Sequence, residues 1–586
     1  MTKNICREEL VGSYSELGLK VLDDNSILNS SNKEICNFIP YVTGQKKIDG
    51  KNYLCISGLG IDNEQLLEII LDSNSLQKNT WVSDNFGFQY FIDKKLINDF
   101  LKIIQKSCRY CETKSVYNHT GWIKENNEWG YLHAGGCIGE LNVDINLDDS
   151  INNYKLPEKI DDLNIACNMS LKLVDMIKED KGIILQSLVY LSPLVGIINQ
   201  KIKPPENVIW LWGKTGSRKT SVAKAYLSHY GNFKTKIPST FNDTNTAIEI
   251  KANLLKDTIY LCDDFAPKQE YREQKNQDTK AEFILRMYGD RIAKGRSSNK
   301  LDIKNTNVPR GMALITGENI ITGESSNARL ISIEVNRESV NLDILTEVQN
   351  NSSLLGESMR GYIEWIIEEL KDEESFLDTL IYNFESFRTE LREKYSDIHG
   401  RTIDSCSWIM LGFYCMLGYM LDKEVINDIQ QRHYLIRLKN VIDTLIEDQI
   451  KLISSNSPID IFLNTLKEAI NSKSIRVGTL NEQNQVIEDK LEYICGYRDK
   501  KYYYFYTDKV YGLIRREQQK QGVHMGITQR ELVKQLRDEN LVKVDSNNDS
   551  PKKVIYERDL NEESGYRQIR PRMLQFDRSI IDNFKI

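Results

Sequence analysis

Residues 208–222, VIWLWGKTGSRKTSV, constrain the fold of this chain most, because an apolar strand there runs into a glycine-rich loop and then into a helix. Gly213, Gly216, Lys219 and Thr220 stand where the pattern G-x-x-x-x-G-K-[ST] has its first glycine, an inner small residue, the lysine and the hydroxyl. In such a loop, backbone N–H groups and a helix N-terminus hold anionic oxygens, and the lysine adds a positive charge. The stretch therefore predicts a phosphate-binding loop.

The loop and the first helical turn supply the predicted nucleotide-binding residues: Gly213, Thr215, Gly216, Ser217, Arg218, Lys219 and Thr220. The Thr220 hydroxyl can also ligate the Mg²⁺ that accompanies ATP. Arg218 departs from the pattern, which has glycine before the lysine, and this costs backbone freedom but adds a donor near phosphate. A glycine- and lysine-rich turn without a ligand is the alternative interpretation.

Residues 258–265, TIYLCDDF, form a mainly apolar strand that is followed by two carboxylates. Asp263 is predicted to hold Mg²⁺, directly or through water. Asp264 is predicted to polarise the attacking water, at a position more often filled by glutamate. Phosphoryl transfer depends mostly on positioning and charge neutralisation, so a carboxylate at the end of a strand beside the phosphate loop is sufficient.

The next strand, GMALITGEN at residues 311–319, ends in polar residues that could sense the γ-phosphate. Thr316, Glu318 and Asn319 all lie there. Asn319 fits best, because a neutral amide can donate to phosphate or to water, and we count it among the catalytic residues. A helix cap or a turn residue is the alternative role.

Arg329 precedes a further apolar strand in SSNARLISIEV. We predict that it is an arginine finger, a catalytic residue that reaches the ATP of a neighbouring subunit. Arg310 and Arg286 are the alternative candidates, and a surface arginine at the start of a strand is the alternative role.

The segment between the acidic strand and the sensor strand, residues 291–310, is strongly basic although the whole chain has a net charge of −7. One acid, Asp302, stands among its basic residues, which are Arg291, Lys294, Arg296, Lys300, Lys304 and Arg310. A basic hairpin inserted at this point would line the pore of a ring and contact a nucleic-acid backbone, so all but Arg310 are predicted DNA-binding residues. A solvated charged face is the alternative.

At 586 residues the chain is too long for one core, and we predict a multidomain α/β protein. Its predicted parts are a mixed α/β domain (1–155), a phosphate-loop ATPase domain (156–340), a helical domain (341–475) and a winged-helix domain (476–586). The predicted strands of the ATPase sheet are Val208–Trp212, Thr258–Cys262, Met312–Thr316 and Ile331–Val335.

Outside the ATPase sheet, Tyr53–Ile56, Thr80–Val82 and Phe86–Phe91 read as N-terminal strands. In the C-terminal region, Thr528 and Glu531 form a capping-box pattern that opens a helix. Leu541–Val544 and Lys553–Glu557 are expected to pair as the wing. The basic residues there leave DNA contact and protein docking equally open: Arg530, Lys534, Arg537, Lys552 and Lys553.

The N-terminal sequence MTKNICREELVGS lacks the apolar segment of a signal peptide, and eleven scattered cysteines suit a reducing compartment, so we expect a cytoplasmic protein. The most apolar window, residues 183–198, is shorter than the ~20 residues that cross a bilayer. We therefore interpret it as a buried helix and expect no membrane association.

With these motifs in place, the chain resembles the domain-of-unknown-function 927 family of ATPases, related to the MCM-like cassette chromosome helicases of mobile genetic elements. The resemblance covers roughly residues 50–340. The stretches that carry it are NHTGWIKENNEWGYL (118–132), LVYLSPLVG (188–196), the phosphate loop, LCDDF, LITGEN and ARLISIEV.

The resemblance implies an AAA+ fold, ATP with Mg²⁺, a homo-hexameric ring, and DNA unwinding in the replication of a mobile genetic element. Single-stranded and forked DNA would be the substrates, and replication-initiation proteins are candidate partners. Lys219, Thr220, Asp263, Asp264 and Arg329 match the family's functional positions. A nucleotide-dependent switch or protein remodeller with weak hydrolysis is the alternative, and a small-molecule phosphotransferase is a third reading that leaves the basic insertion unexplained.

Overall fold

The computed structural model describes residues 6–48, 50–108, 111–292, 307–321, 324–396, 398–455, 457–487, 494–521, 527–543, 551–558 and 566–582. Their buried apolar side chains form an N-terminal cluster within residues 10–104, a large cluster within residues 122–446 and a C-terminal cluster within residues 459–581. The large cluster contains side chains of the phosphate-loop sheet, of the helices that precede it in the sequence and of the helices that follow it.

The N-terminal part is built on a mixed five-stranded sheet with short helices. Its elements are α1 (Arg7–Glu16), β1 (Lys20–Val21), β2 (Ile27–Leu28), β3 (Glu34–Cys36), β4 (Ile39–Ile48), β5 (Lys51–Leu59), β6 (Ile69–Asp72), α2 (Ser73–Leu76), α3 (Thr80–Phe86), α4 (Ile97–Ser107), β7 (Thr113–Tyr117), β8 (Gly121–Glu125), β9 (Glu128–His133), β10 (Gly136–Ile138) and β11 (Asp144–Ile145). The large sheet has the order β11-β7-β4-β5-β6, while β1–β3 and β8–β10 form two small sheets.

Two strand predictions in this part are wrong. Thr80–Val82 lies in helix α3, because Trp81, Val82 and Phe86 together bury one helical face in the N-terminal core. Phe86–Phe91 forms no strand: α3 ends there at Gly87, whose φ of 106° turns the chain. The strand predicted at Tyr53–Ile56 is confirmed as part of β5.

The central part contains the phosphate-loop sheet. Its elements are α5 (Leu163–Lys172), α6 (Lys181–Leu191), α7 (Val195–Ile198), β12 (Val208–Trp212), α8 (Lys219–Leu227), β13 (Ser239–Thr240), α9 (Asn245–Leu254), β14 (Ile259–Phe265), α10 (Tyr271–Gly289), β15 (Met312–Gly317), α11 (Glu324–Asn327) and β16 (Leu330–Glu334). The strand order is β13-β14-β15-β12-β16 and every pairing is parallel. All four predicted strands are confirmed, and their carboxyl ends meet at one edge of the sheet, where ligands of open α/β sheets bind.

The apolar segment Lys181–Ile198 has the length and hydropathy of a membrane span, but 89% of it is buried inside the protein. It comprises α6, a 3₁₀ turn and α7. Its side chains belong to the same core as the sheet, so the prediction of a buried helix is confirmed.

The region after the sheet is helical, as predicted. Its helices are α12 (Leu342–Asn350), α13 (Ser352–Glu369), α14 (Glu373–Lys394), α15 (Gly400–Asp422), α16 (Asp428–Ser455) and α17 (Pro458–Asn471). Helix α16 lies along the outer edge of the parallel sheet, where the buried Gln449 amide hydrogen-bonds the Ser332 hydroxyl of β16 at 3.0 Å.

The C-terminal part combines a five-stranded sheet with helices. Its elements are β17 (Arg476–Thr479), β18 (Ile494–Arg498), β19 (Tyr502–Phe505), α18 (Thr507–Gln521), α19 (Gln529–Asp538), β20 (Val542–Lys543), β21 (Ile555–Arg558), β22 (Tyr566–Ile569), β23 (Leu574–Asp577) and α20 (Arg578–Asp582). The predicted capping box of Thr528 and Glu531 is confirmed at the start of α19.

The pairing predicted for the wing is wrong. Strand β20 pairs with β23, and β21 pairs with β22. The described residues of the two predicted wing strands, 541–543 and 553–557, therefore do not form a ladder with each other. Pairing with β23 lets β20 bury Val542 beside Phe576 in the C-terminal core, which a local hairpin would not provide.

Candidate phosphate-loop site

The phosphate loop closes tightly over the carboxyl end of β12. Gly213 has a φ of 152° and Gly216 a φ of 80°. A Cβ on Gly213 would lie 2.2 Å from the carbonyl oxygen of Val335, so a larger residue there has to displace the neighbouring strand. Both glycines are therefore required by backbone geometry, as the motif predicts.

Arg218, which replaces the usual glycine, adopts the left-handed conformation that a glycine would take. Its φ is 68° and its ψ is 19°, and it is the N-cap residue of α8. This conformation is strained for a residue with a long side chain and costs roughly 1–2 kcal/mol. Arg218 thus keeps the backbone conformation that the motif's glycine would adopt, and the substitution appears as backbone strain at this residue.

We expect the Arg218→Gly variant without nucleotide to unfold at higher urea concentration than the parent. The relieved strain exceeds the extra entropy that glycine gives the unfolded chain, so the net gain is roughly 0.5–1 kcal/mol. Arg218→Ala removes the same charge but keeps the strain, and it is expected to give no gain. Equal midpoints for the glycine and alanine variants would contradict this explanation.

Lys219 folds back over the loop, and only 9% of its surface is exposed. Its Nζ donates to the carbonyl oxygens of Gly213 at 2.6 Å and Lys214 at 3.0 Å, and to Ser217 Oγ at 3.3 Å. Burial lowers its pKa, against the opposing influence of Glu318, Asp264 and Asp263. The ammonium of Lys219 is thus held against the phosphate loop by two of its carbonyl oxygens and a hydroxyl.

Thr220 and Asp263 are brought together at the edge of the sheet. Thr220 Oγ1 donates to Asp263 Oδ1 at 2.9 Å, and the Thr316 hydroxyl donates to the same oxygen. Hydroxyl and carboxylate oxygens are the hard ligands that Mg²⁺ takes beside water and phosphate, so these residues fit the ion. Within the described residues, no group of three or more His, Cys, Asp or Glu side chains is placed to hold a metal ion.

Asp264 also has a left-handed backbone conformation. Its φ is 72°, its side chain is exposed, and its N–H donates to Thr316 Oγ1 at 3.1 Å. The ladder between β14 and β15 shifts register at this point. Such a bulge changes the direction of the strand locally, and residues held in this strained conformation are concentrated at functional sites.

The three sensor candidates occupy different places. Thr316 hydrogen-bonds Asp263, as described above, and therefore positions the carboxylate. Glu318 accepts a hydrogen bond from Thr215 of the phosphate loop. Asn319 lies two residues beyond β15 with an exposed side chain. The sequence gives no signal for these two side-chain contacts, because they depend on the alignment of β15 with its neighbours.

Arg329 lies at the opposite end of the sheet from the phosphate loop. Its carbonyl oxygen accepts from the N–H of Val208, the first residue of β12, whereas the loop follows the last. Five residues of strand span about 16 Å, so Arg329 cannot reach the nucleotide of its own subunit. Its guanidinium forms two hydrogen bonds to the Asp290 carboxylate, at 3.0 and 3.1 Å.

The two alternative finger candidates differ in exposure. Arg310 Nε donates to the Asn253 carbonyl oxygen at 2.7 Å, and burial lowers its pKa. Arg286 is exposed on α10, with Glu282 at 3.7 Å. Arg310 therefore belongs to the framework, while Arg286 is free to meet another molecule.

Arg291 does not point away from the protein as a DNA-binding residue should. Its guanidinium donates to the carbonyl oxygens of Pro205, Pro309 and Gly311 at 2.6–3.2 Å. We therefore correct its predicted role: Arg291 ties the chain down at the base of the basic segment. The other predicted DNA-binding residues lie outside the described residues: Lys294, Arg296, Lys300 and Lys304.

The sequence analysis missed a buried carboxylate at the amino end of the strand that carries Asp263: Asp257, which is 0% exposed. Its two oxygens accept from the N–H of Trp122 at 2.9 Å and of Gly196 at 2.7 Å. Burial raises its pKa. Asp257 thus joins residues 118–132 and 188–196 to the start of β14, which carries Asp263.

Comparisons with known proteins give a likeness in fold and none in sequence. No protein-family model matches the chain, and no curated protein does. A solved structure described as the SCCmec type IV Cch active helicase matches 97% of this chain and 99% of its own, with a TM-score of 0.61 and 13% identity. Two ligand-bound structures of JCV helicase each match 43% of this chain. The first has 13% identity over 66% of its own chain and a TM-score of 0.23, and the second has 16% identity over 65% and a TM-score of 0.22. These TM-scores are too low to carry an argument.

The chain therefore shares a multidomain α/β fold with that structure along nearly its whole length. The likeness predicted from the motifs is found at the level of architecture. At 13% identity it extends to the fold alone.

Proposed function

We propose that this protein is an ATP-driven DNA helicase or translocase that acts as a hexameric ring in the replication of a mobile genetic element. The observation that carries the proposal is the 2.9 Å hydrogen bond between Thr220 and Asp263 beside the buried Lys219. It places a hydroxyl, a carboxylate and an ammonium at one edge of a parallel sheet, which is what phosphoryl transfer requires. Similarity in fold to an active helicase favours a motor over other ATPases.

In this proposal the loop amides and Lys219 bind the phosphates of ATP, and Thr220 and Asp263 hold Mg²⁺. The ion would neutralise charge on the β- and γ-phosphates. Asp264 orients the attacking water, since its exposed carboxylate follows Asp263 directly in the chain. Asn319 senses the γ-phosphate from the end of β15.

The ring is proposed because Arg329 is too far from its own phosphate loop to act there. In an AAA+ hexamer it would leave Asp290 and reach the nucleotide of the adjacent subunit. Residues 1–155 would form a collar that loads DNA, 156–340 the motor, 341–475 a helical domain and 476–586 a winged helix. In this assignment the protein is cytoplasmic, and its substrates are single-stranded and forked DNA.

The test is ATP hydrolysis with and without single-stranded DNA, for the parent and for a Lys294→Ala/Arg296→Ala variant. We expect the parent to be stimulated by DNA and the variant to keep its basal rate without stimulation. Two lost phosphate contacts should lower the slope of log affinity against log salt concentration by about 1–2.

Arg272→Ala/Lys275→Ala is the matched control, because it removes two exposed charges from α10 outside the basic segment. It is expected to behave as the parent does. A parent that hydrolyses ATP at the same rate with and without DNA would rule out the motor.

A nucleotide-dependent switch or protein remodeller is the second candidate. The observation that favours it is the backbone strain at Arg218. In a switch, the free energy of nucleotide binding would offset this strain, and hydrolysis would not be needed for the conformational change. This candidate predicts measurable ATP binding, slow hydrolysis and no unwinding of forked DNA.

A further inference from the structure

We infer that Arg337 is a second cation of the nucleotide site, which binds the α- or β-phosphate of the nucleotide within its own subunit. The inference rests on the proposed ATP site and assigns a residue that neither motif nor resemblance includes. The observation behind it is close approach: a Cβ built on Gly216 would lie 3.2 Å from Nη2 of Arg337. The guanidinium therefore lies directly against the phosphate loop.

The backbone that carries Arg337 is fixed on both sides. Before it, the N–H of Val335 donates to the carbonyl oxygen of Trp212 at 2.8 Å, which ties the chain to the last residue of β12. After it, the carbonyl oxygen of Ser339 accepts from the N–H of Lys178 at 2.8 Å. The turn between them is closed by reciprocal capping of Asn336 and Ser339. Arg337 is thus presented from a rigid turn.

The charge of Arg337 is available to a ligand. Its side chain is exposed, and no described carboxylate forms an ion pair with it. Lys219 differs, because loop carbonyls already hold its ammonium. A planar guanidinium with unused N–H donors is well suited to phosphate oxygens, which it can bind through two parallel hydrogen bonds.

The strand order indicates which phosphate Arg337 meets. Asp263 and Thr316, which mark the metal position, come from β14 and β15 on one side of β12. Arg337 follows β16 on the other side. Mg²⁺ bridges the β- and γ-phosphates, so the terminal phosphate lies towards β15 and the nucleoside end towards β16. Arg337 therefore contacts the α- or β-phosphate, which ATP and ADP share.

The experiment compares binding of fluorescent ADP and ATP analogues to the parent, Arg337→Ala, Arg337→Lys and Lys178→Ala. Removal of a charged donor pair should weaken both ADP and ATP roughly 10- to 100-fold. Arg337→Lys should recover part of the affinity. Lys178→Ala, which removes an exposed charge next to the same turn, should stay within about threefold of the parent, as expected for a screened charge without a direct contact.

Steady-state hydrolysis separates this role from that of an arginine finger. We expect Arg337→Ala to raise KM and to leave kcat within about threefold, because the contact is equal in ground and transition states. ADP affinity equal to that of the parent, or a loss confined to kcat, would overturn the inference. Failure of the parent itself to bind either nucleotide would instead refute the proposed ATP site.

Discussion

Replacing Lys219 by alanine is expected to lower the rate of ATP hydrolysis at least about 100-fold, the usual effect of removing one donor that stabilises transition-state charge. Its Nζ is the buried cation of the loop and contacts Gly213, Lys214 and Ser217. Without it, the developing charge on the β- and γ-oxygens would be met by the loop amides and Mg²⁺ but not by the lysine ammonium. The variant should still fold, since the contacts that are lost are confined to the loop itself.

Lys224→Ala is the matched control for this experiment. Lys224 lies on the same helix α8, but its Nζ donates to the Lys234 carbonyl oxygen at 3.3 Å and takes no part in the loop. The measurement is phosphate release at saturating ATP, with near-ultraviolet circular dichroism as the check of folding. A Lys219→Ala protein that retains the parent's rate would mean that hydrolysis comes from another site or from a contaminant.

The predictions that succeeded depend on local chemistry or on the geometry of parallel strands. Four of the five strands of the sheet are mainly apolar runs of five to seven residues, and these four predicted strands are found in place. Parallel strands bring their carboxyl ends to one edge, so Thr220 and Asp263 could be expected to meet although they are far apart in sequence.

The predictions that failed concern segments whose structure is decided by distant contacts. Residues 80–82 have the composition of a strand, yet they lie on a helix that buries Trp81 and Val82 together with Phe86 in the N-terminal core. The first predicted wing strand likewise pairs with β23, which follows some thirty residues later and places Phe576 opposite Val542.

Charge alone was also misleading. Arg291 belongs to the basic segment by composition, but main-chain carbonyl oxygens that converge from Pro205, Pro309 and Gly311 make it part of the framework. Arg337 shows the opposite case, an isolated arginine in an ordinary polar turn that strand order carries to the phosphate loop. Neither position can be derived from sequence spacing, because each depends on which strands are neighbours.

Asp257→Ala is expected to destabilise the protein by about 3–7 kcal/mol, the largest stability effect that we predict. The substitution leaves two buried N–H groups, of Trp122 and Gly196, without their acceptors. Each such loss costs about 1–3 kcal/mol. Asp257 also has a φ of 53°, and alanine tolerates this left-handed conformation less well than aspartate, which adds roughly another 1 kcal/mol.

Asp62→Ala separates the two contributions. Asp62 has a nearly identical φ of 56°, but its side chain is exposed. Its replacement should cost only the backbone part, about 1 kcal/mol. Urea unfolding of the two variants therefore measures the hydrogen bonds of Asp257 by difference, and equal losses in both would contradict the role assigned to this carboxylate.

The same carboxylate explains why two sequence motifs far from the phosphate loop accompany it. Gly121 has a φ of 89°, and a Cβ there would lie 2.5 Å from the carbonyl oxygen of Lys256, so the close approach to Asp257 requires glycine. Thr120 Oγ1 donates to that same oxygen at 2.8 Å. In Asp257→Ala, amide hydrogen exchange should accelerate first in the peptides that contain Trp122 and Gly196, and hydrolysis should fall with it, because β14 carries Asp263 only a few residues further on. Faster exchange elsewhere with these two peptides unchanged would show that Asp257 does not hold the N-terminal strands against the sheet.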